Sequence, residues 1–212
     1  MKELTQRQLQ AGLAEACRQI VDNEPMLTEL DRRIGDGDHG VGMKIGFSRL
    51  AVLLERESFA SIYELMRAAG MELIKTMGGA SGVIFGSLFI GGHQAVEGAE
   101  AMDAGALVRF FDGAAASIAA RGGAKRGDKT MLDALMSAVE AMEAACREGG
   151  DALAVLKAGM DGAQAGADAT RQMLPQLGRA KNFRDSAFGS PDPGAVSTAL
   201  IFQGLYQGVL KS

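Results

Sequence analysis

The chain has 212 residues, 47% of them hydrophobic, with a formal net charge of −4 and a pI near 5.3. That length suits one large domain or two small ones with a sizeable core, and the acidic balance argues against a nucleic-acid-binding face, which is basic. No apolar run reaches the roughly 18 residues of a membrane span, Met1–Arg7 is too polar for a secretory leader, and the two cysteines, Cys17 and Cys146, read as buried free thiols of a reducing, cytoplasmic setting.

The first periodic segment carries Leu9, Leu13, Cys17, Ile20 and Val21 at three- and four-residue steps, one face of a helix. It is followed by Asp31-Arg-Arg-Ile-Gly-Asp36-Gly-Asp38-His39-Gly40, in which three carboxylates and a histidine are interleaved with glycine. Carboxylate oxygens are the ligands that hard cations take, and Mg²⁺ keeps positions open for water or substrate phosphates. A compact acidic cluster on a glycine-rich loop therefore suggests a Mg²⁺–phosphate site. Asp and Gly also make ordinary solvated turns, so this stretch alone supports either reading.

Ile62, Leu65, Met66, Leu73 and Ile74 repeat the helical pattern. Met77-Gly-Gly-Ala80-Ser81-Gly82 then breaks it. Small residues at a helix N-terminus present backbone N–H groups to an anion, and they equally permit a tight helix crossing. Val83–Ile90 is the best strand candidate, but Gly86 interrupts it and it does not alternate, so a buried helix is expected. His93, in an apolar stretch, reads as structural. Asp103 is an expected N-cap for a helix carrying Val108, Phe111 and Ile118.

Arg121-Gly122-Gly-Ala-Lys-Arg-Gly-Asp128-Lys-Thr130-Met131 is a basic, glycine-rich loop before a helix; by itself it reads as a surface loop. Residues Thr130 to Arg147, Ala152 to Met173 and Ala195 to Leu210 are rich in good helix formers. Between the last two lie Leu177-Gly-Arg179-Ala and Ser190-Pro-Asp192-Pro193-Gly194-Ala195. Asp-Pro-Gly marks a turn, and the planar fork of arginine suits phosphate. No P-loop or Rossmann fingerprint occurs, and no Cys/His grouping has zinc spacing. Ser81 has no evident histidine base, so phosphate contact suits it better than nucleophilic attack. With no repeat or linker, the expectation is one all-α domain over residues 1–212, of seven to nine helices.

Four motifs in this order resemble the ADP-binding L subunit family, DhaL, of bacterial dihydroxyacetone kinases: Leu30–Gly40, Gly78-Gly-Ala-Ser-Gly82, Gly127-Asp-Lys-Thr-Met131, and Gly178-Arg179 with Asp192-Pro-Gly-Ala195. The resemblance covers nearly the whole chain. It implies a single-domain antiparallel barrel of about eight helices with a nucleotide, ADP or ATP, at one end. It also implies two Mg²⁺ ions on Asp31, Asp36 and Asp38. His39, Gly40, Val41 and Gly42 would line the phosphates, with Ala80 and Ser81 as a second contact. Gly122, Thr130 and Met131 would line the adenine pocket. Arg179 and the Asp192-Pro193-Gly194 turn would close over the nucleotide, Arg179 being the catalytic candidate. Phosphoryl transfer rests on such positioning and charge neutralisation.

The resemblance further implies a kinase subunit active only with a K-type partner that carries dihydroxyacetone or a similar small ketose such as erythrulose. In phosphotransferase-system versions an M-type subunit recharges ADP in place; in others ATP is exchanged. Two other readings stand beside this one: a regulatory Mg-ADP module acting on a transcription regulator, and a stand-alone Mg²⁺-dependent phosphohydrolase. Homodimerisation is left open. The chain departs from the family pattern at Gly42, where relatives often have Asn, and in Lys181–Ala187, where many carry Ser-Tyr-Leu-Gly-Glu-Arg-Ser.

Overall fold

The structure is a computed structural model that describes residues 1–178, 180, 181 and 187–212. Among them are nine α-helices: α1 (Gln6–Asp22), α2 (Glu24–Arg32), α3 (His39–Arg56), α4 (Ile62–Met77), α5 (Gly79–Ile90), α6 (Ala104–Gly122), α7 (Met131–Arg147), α8 (Ala152–Ala169) and α9 (Pro193–Lys211). Two single turns of 3₁₀ helix, His93–Val96 and Thr170–Gln172, and two short strands, β1 (Glu3–Thr5) and β2 (Ala101–Asp103), complete them.

The helices start where short polar side chains can satisfy the first free N–H groups. Thr5, Ser61, Asp103, Thr130, Asp151 and Asp192 each accept a backbone hydrogen bond at the head of α1, α4, α6, α7, α8 and α9. Thr5 with Gln8, and Thr130 with Asp133, form reciprocal capping boxes.

The all-α expectation holds. Val83–Ile90 belongs to α5, and Asp103 caps α6 as read from sequence. The region expected as helix to Met173 leaves the α-helix at Ala169 and ends in the 3₁₀ turn Thr170–Gln172. The strand pair has no counterpart in the sequence expectation; it runs antiparallel with Leu4 opposite Met102.

Packing follows a closed ring: α1 lies against α3, α3 against α4, and so on through α8 against α9, with α9 returning to α1. Eight helices therefore make the barrel, and α2 is a ninth that packs on α3 outside the ring order. Neighbours in the ring run antiparallel, since residues at the heads of α3, α5, α7 and α9 all line one cleft. Leu13, Phe47, Leu73, Phe89, Phe110, Leu135, Leu156 and Phe202, one from each ring helix, are buried in the same core. The interior is filled; an apolar void of about 20 Å³ lies among Leu9, Phe89, Phe110 and Leu205.

Of the two free cysteines, Cys17 is buried as expected, and burial pushes its thiol well above the usual range. Cys146 is only half-buried, a correction to the sequence reading, because it lies at the outer, C-terminal end of α7. His93 is structural: it stacks on Tyr63 with ring centroids 4.7 Å apart.

Candidate functional site

An up-and-down ring has a consequence for electrostatics. Alternate helices point the same way, so α3, α5, α7 and α9 bring their N-termini to one end of the barrel. A cleft of about 690 Å³ opens there. Its walls come from Asp38, His39, Val41 and Gly42 with Ile45, Gly78–Ser81 with Ile84 and Phe85, Lys129–Met131, and Asp192–Gly194, joined by Asp31, Ile34, Asp36, Met77, Leu177, Gly178 and Ala180. Each helix N-terminus carries free N–H groups and a partial positive charge. Four of them at one cleft make a receptor for an anion.

Against that positive field stand the three carboxylates. Asp31, Asp36 and Asp38 each offer an oxygen within 4.8 Å of the others. Asp31 comes from the last turn of α2, Asp36 and Asp38 from the turn that follows it. Glycine makes this turn. A Cβ on Gly35 would lie 2.4 Å from Asp31 Oδ1, and Gly37 has a φ of 79°, a conformation that favours glycine. Asp31 Oδ2 also accepts the backbone N–H of His39 at 3.1 Å, which ties the metal loop to the start of α3. Three hard oxygen donors on an open loop fit Mg²⁺, and with no thiolate or imidazole in the cluster they do not fit a structural zinc.

His39 sits in the cleft wall. Its Nε2 is 2.8 Å from Ser197 Oγ, and its ring centroid is 5.9 Å from that of Phe85. Burial holds its imidazole below the usual histidine range, partly offset by the Asp31 charge. Val41 and Ser81 are exposed in the cleft, and Gly78 and Gly79, at φ 68° and 57°, turn the chain into α5. Thr130 N and Gly127 N both donate to the buried Asp133, at 2.8 and 2.5 Å, which fixes the head of α7. Asp192 Oδ2 accepts Ala195 N at 2.8 Å. Burial pushes the Asp192 carboxyl up to about 7, against the pull of that hydrogen bond and of Lys129.

Of the residues expected from sequence, Asp31, Asp36, Asp38, His39, Val41, Gly42, Ala80, Ser81, Thr130, Met131, Asp192, Pro193 and Gly194 line this one cleft. Gly40 does not. It is buried against α2, and a Cβ there would lie 2.3 Å from Thr28 Oγ1, so it serves helix packing. Gly122 is exposed and outside the lining; a Cβ there would lie 3.2 Å from Cδ1 of Ile84, which is in the wall. Arg179 lies outside the described residues, and so does most of the divergent 181–187 stretch.

Sequence reading gave no role to Ser197 or Lys129. Ser197 is a buried hydroxyl on α9 with nothing in its local sequence to mark it. Lys129 belongs to the Gly127–Met131 motif, but a lysine in a basic loop reads as solvated. In the structure it is 2% exposed and in the cleft wall.

Comparison with known proteins shows the family. A family model described as "DAK2 domain" matches residues 33–207. The ADP-binding subunit DhaL of the PEP-dependent dihydroxyacetone kinase of Escherichia coli (strain K12) is 34% identical over 188 residues, 88% of this chain and 90% of that protein. The D-erythrulose kinase of Mycolicibacterium smegmatis is 33% identical over 191 residues, 89% of this chain and 32% of that protein. Among solved structures, the dihydroxyacetone kinase of C. freundii in its native form superposes with a TM-score of 0.74 at 30% identity, covering 98% of this chain and 36% of that one. The same kinase in complex with AMP-PNP and Mg²⁺ gives a TM-score of 0.74 at 29% identity over 94% of this chain and 33% of that one. The chain thus spans nearly the whole of the bacterial L subunit but only about a third of the longer kinases. With most of its length matched by the family model and by a relative at this identity, the chain belongs to the DAK2 domain family.

Proposed function

We propose that this chain is the nucleotide-binding subunit of a two-part kinase, which passes a phosphoryl group from Mg-ATP to dihydroxyacetone or a similar small ketose held by a K-type partner. One observation carries the reading: a triad of carboxylates within 4.8 Å faces four helix N-termini across one cleft. That pairing suits a polyphosphate, whose charge calls for both cations and N–H donors.

Asp31, Asp36 and Asp38 would hold Mg²⁺, two ions by the family resemblance, and a bound ion supplies positive charge to the phosphate oxygens. The remaining contributions are the chain's own. The heads of α3 and α5 orient the phosphates through backbone N–H groups. Ile84, Thr130 and Met131 give the base a partly apolar seat, with the Asp192-Pro193-Gly194 turn beside it. Arg179, assigned by its motif, neutralises phosphate charge. His39 is held by Ser197, and the Lys129 amine is held by two carbonyls. Both groups are engaged within the chain, and the reading places the acceptor and its base on another subunit.

The test is direct. The purified chain with ATP and Mg²⁺ should phosphorylate no triose or tetrose alone, and should do so once its cognate K-type subunit is added, with a phosphotransferase relay if ADP is retained. Ketose phosphorylation by the chain alone would overturn the two-subunit reading; ATP hydrolysis without any acceptor would replace it with a phosphohydrolase. Arg179→Ala should lower turnover more than it weakens ADP binding if the guanidinium acts mainly in the transition state.

A further inference from the structure

Lys129 has φ 60°, making it the only non-glycine residue with a left-handed backbone among the described residues. A side chain larger than glycine's is disfavoured there and persists when its surroundings hold it in place. The surroundings are unusual. The Nζ donates to two backbone carbonyls, Thr170 O and Ser190 O, each at 2.6 Å. Thr170 ends α8 in the 3₁₀ turn, and its Oγ1 accepts the backbone N–H of Asp192 at 2.9 Å. Ser190 immediately precedes Pro191-Asp192, and its own hydroxyl is buried with no hydrogen-bond partner among the described residues. Its carbonyl, not its side chain, is the anchored group.

The lysine's other end belongs to the opposite wall. Its backbone leads directly into Thr130, the cap of α7, and Met131. A Cβ on Gly194 would lie 3.3 Å from Met131 Cβ, so the two walls also touch. A single buried ammonium therefore ties three segments distant in sequence, residues 129–131, 170 and 190–194. Residues of the first and last of these segments line the cleft.

We infer that Lys129 is a positioning residue for the nucleotide: by holding the Ser190 and Thr170 carbonyls it sets the spacing between the Thr130–Met131 wall and the Asp192-Pro193-Gly194 turn. The inference rests on the nucleotide reading of the cleft, and it makes the two ends of the cleft separable. The metal end depends on Asp31, Asp36 and Asp38, whereas the Lys129 amine bonds to the Thr170 and Ser190 carbonyls. Loss of the tie should weaken a ligand that spans both ends and leave a ligand of the metal end alone.

The experiment measures Mg-ADP affinity by calorimetry and Mn²⁺ affinity by paramagnetic resonance in the parent, Lys129→Met and Lys129→Gly, with amide exchange over residues 187–196. Lys129→Gly relieves the left-handed backbone, so it carries the test if the Met variant fails to fold. Mg-ADP affinity should fall tenfold or more, Mn²⁺ affinity should stay within twofold, and exchange over 187–196 should rise while that of α3 does not. Unchanged Mg-ADP affinity in either folded variant overturns the inference. So do equal losses for Mg-ADP and Mn²⁺, which mark a merely structural residue, and failure of both variants to fold. If the parent itself binds no Mg-ADP, the nucleotide reading fails instead, and exchange over 187–196 alone decides whether Lys129 holds the turn.

Discussion

The Nε2 of His39 and the Oγ of Ser197 meet at 2.8 Å across 158 residues of sequence. The pair joins the head of α3 to the second turn of α9, two neighbouring N-termini of the cleft. It also fixes the imidazole, which is desolvated and would otherwise face the cleft with a choice of rotamers.

Ser197→Ala should therefore act in two ways. Removing one partner leaves a desolvated ring nitrogen unsatisfied, a loss of about 1–3 kcal/mol, which urea unfolding would read. With the ring released, Mg-ADP should also bind several-fold more weakly. A variant with parental stability and affinity would show that the contact orients nothing.

Asp36→Ala separates the metal site from the fold. Asp36 is exposed, and in the absence of cation it adds to a cluster of like charges. The ligand-free midpoint of each protein is the baseline from which its ligand shift is read. The rise in midpoint that Mg²⁺ and ADP together give the parent, expected from linkage, should be lost, and a chelator should abolish it in the parent too. Retention of the full Mg²⁺-dependent shift in the variant would remove Asp36 from the metal site.

How far the sequence discloses this arrangement depends on the range of each interaction. Helix periodicity and capping are local, so the long helices, the Asp103 cap and the helical state of Val83–Ile90 can all be read from the chain. The cleft loops stand out because glycine and aspartate gather in them. Helix α2, nine residues long with a proline at its head, and the three-residue strands are too short to leave a periodic signal. Gly40 looks like its neighbours in the motif, yet its direction is set by Thr28 on α2. Lys129 reaches carbonyls 41 and 61 residues away, which no local pattern records. The convergence of four helix N-termini follows from the closure of the ring, and spacing alone cannot display it.

Gly40 and Gly42 lie two residues apart on α3 and should respond to alanine with opposite signs. A Cβ on Gly40 would meet the Thr28 backbone nitrogen at 2.5 Å and the Glu24 carbonyl at 2.6 Å. Backbone cannot move aside cheaply, so Gly40→Ala should destabilise by about 1–3 kcal/mol or more. A Cβ on Gly42 would meet nothing within 4 Å, and glycine in a helix is less favourable than alanine by roughly 1 kcal/mol. Gly42→Ala should raise the unfolding midpoint and, by placing a methyl in the cleft, weaken Mg-ADP binding. Two changes of the same sign in midpoint would contradict the packing described for α2 on α3.

Asp192 gives a pH dependence whose sign can be stated. Burial raises its carboxyl to about 7 in the fold, against an ordinary value of 3.8. The native state then binds the proton more tightly than the unfolded chain. The contribution of Asp192 to stability is thus full below about 3.8 and is lost as pH rises through about 7. His39 acts oppositely: burial holds its imidazole below 6.5, so its contribution is present above 6.5 and lost as pH falls through its lower native value. The two partly cancel in the parent, and Asp192→Asn isolates the first, because asparagine still caps α9 and does not titrate. Relative to the parent, the variant should gain in thermal midpoint between pH 5 and pH 8. A difference that stays constant over that range would mean that the Asp192 carboxyl is ionised throughout and is solvated within the cleft wall.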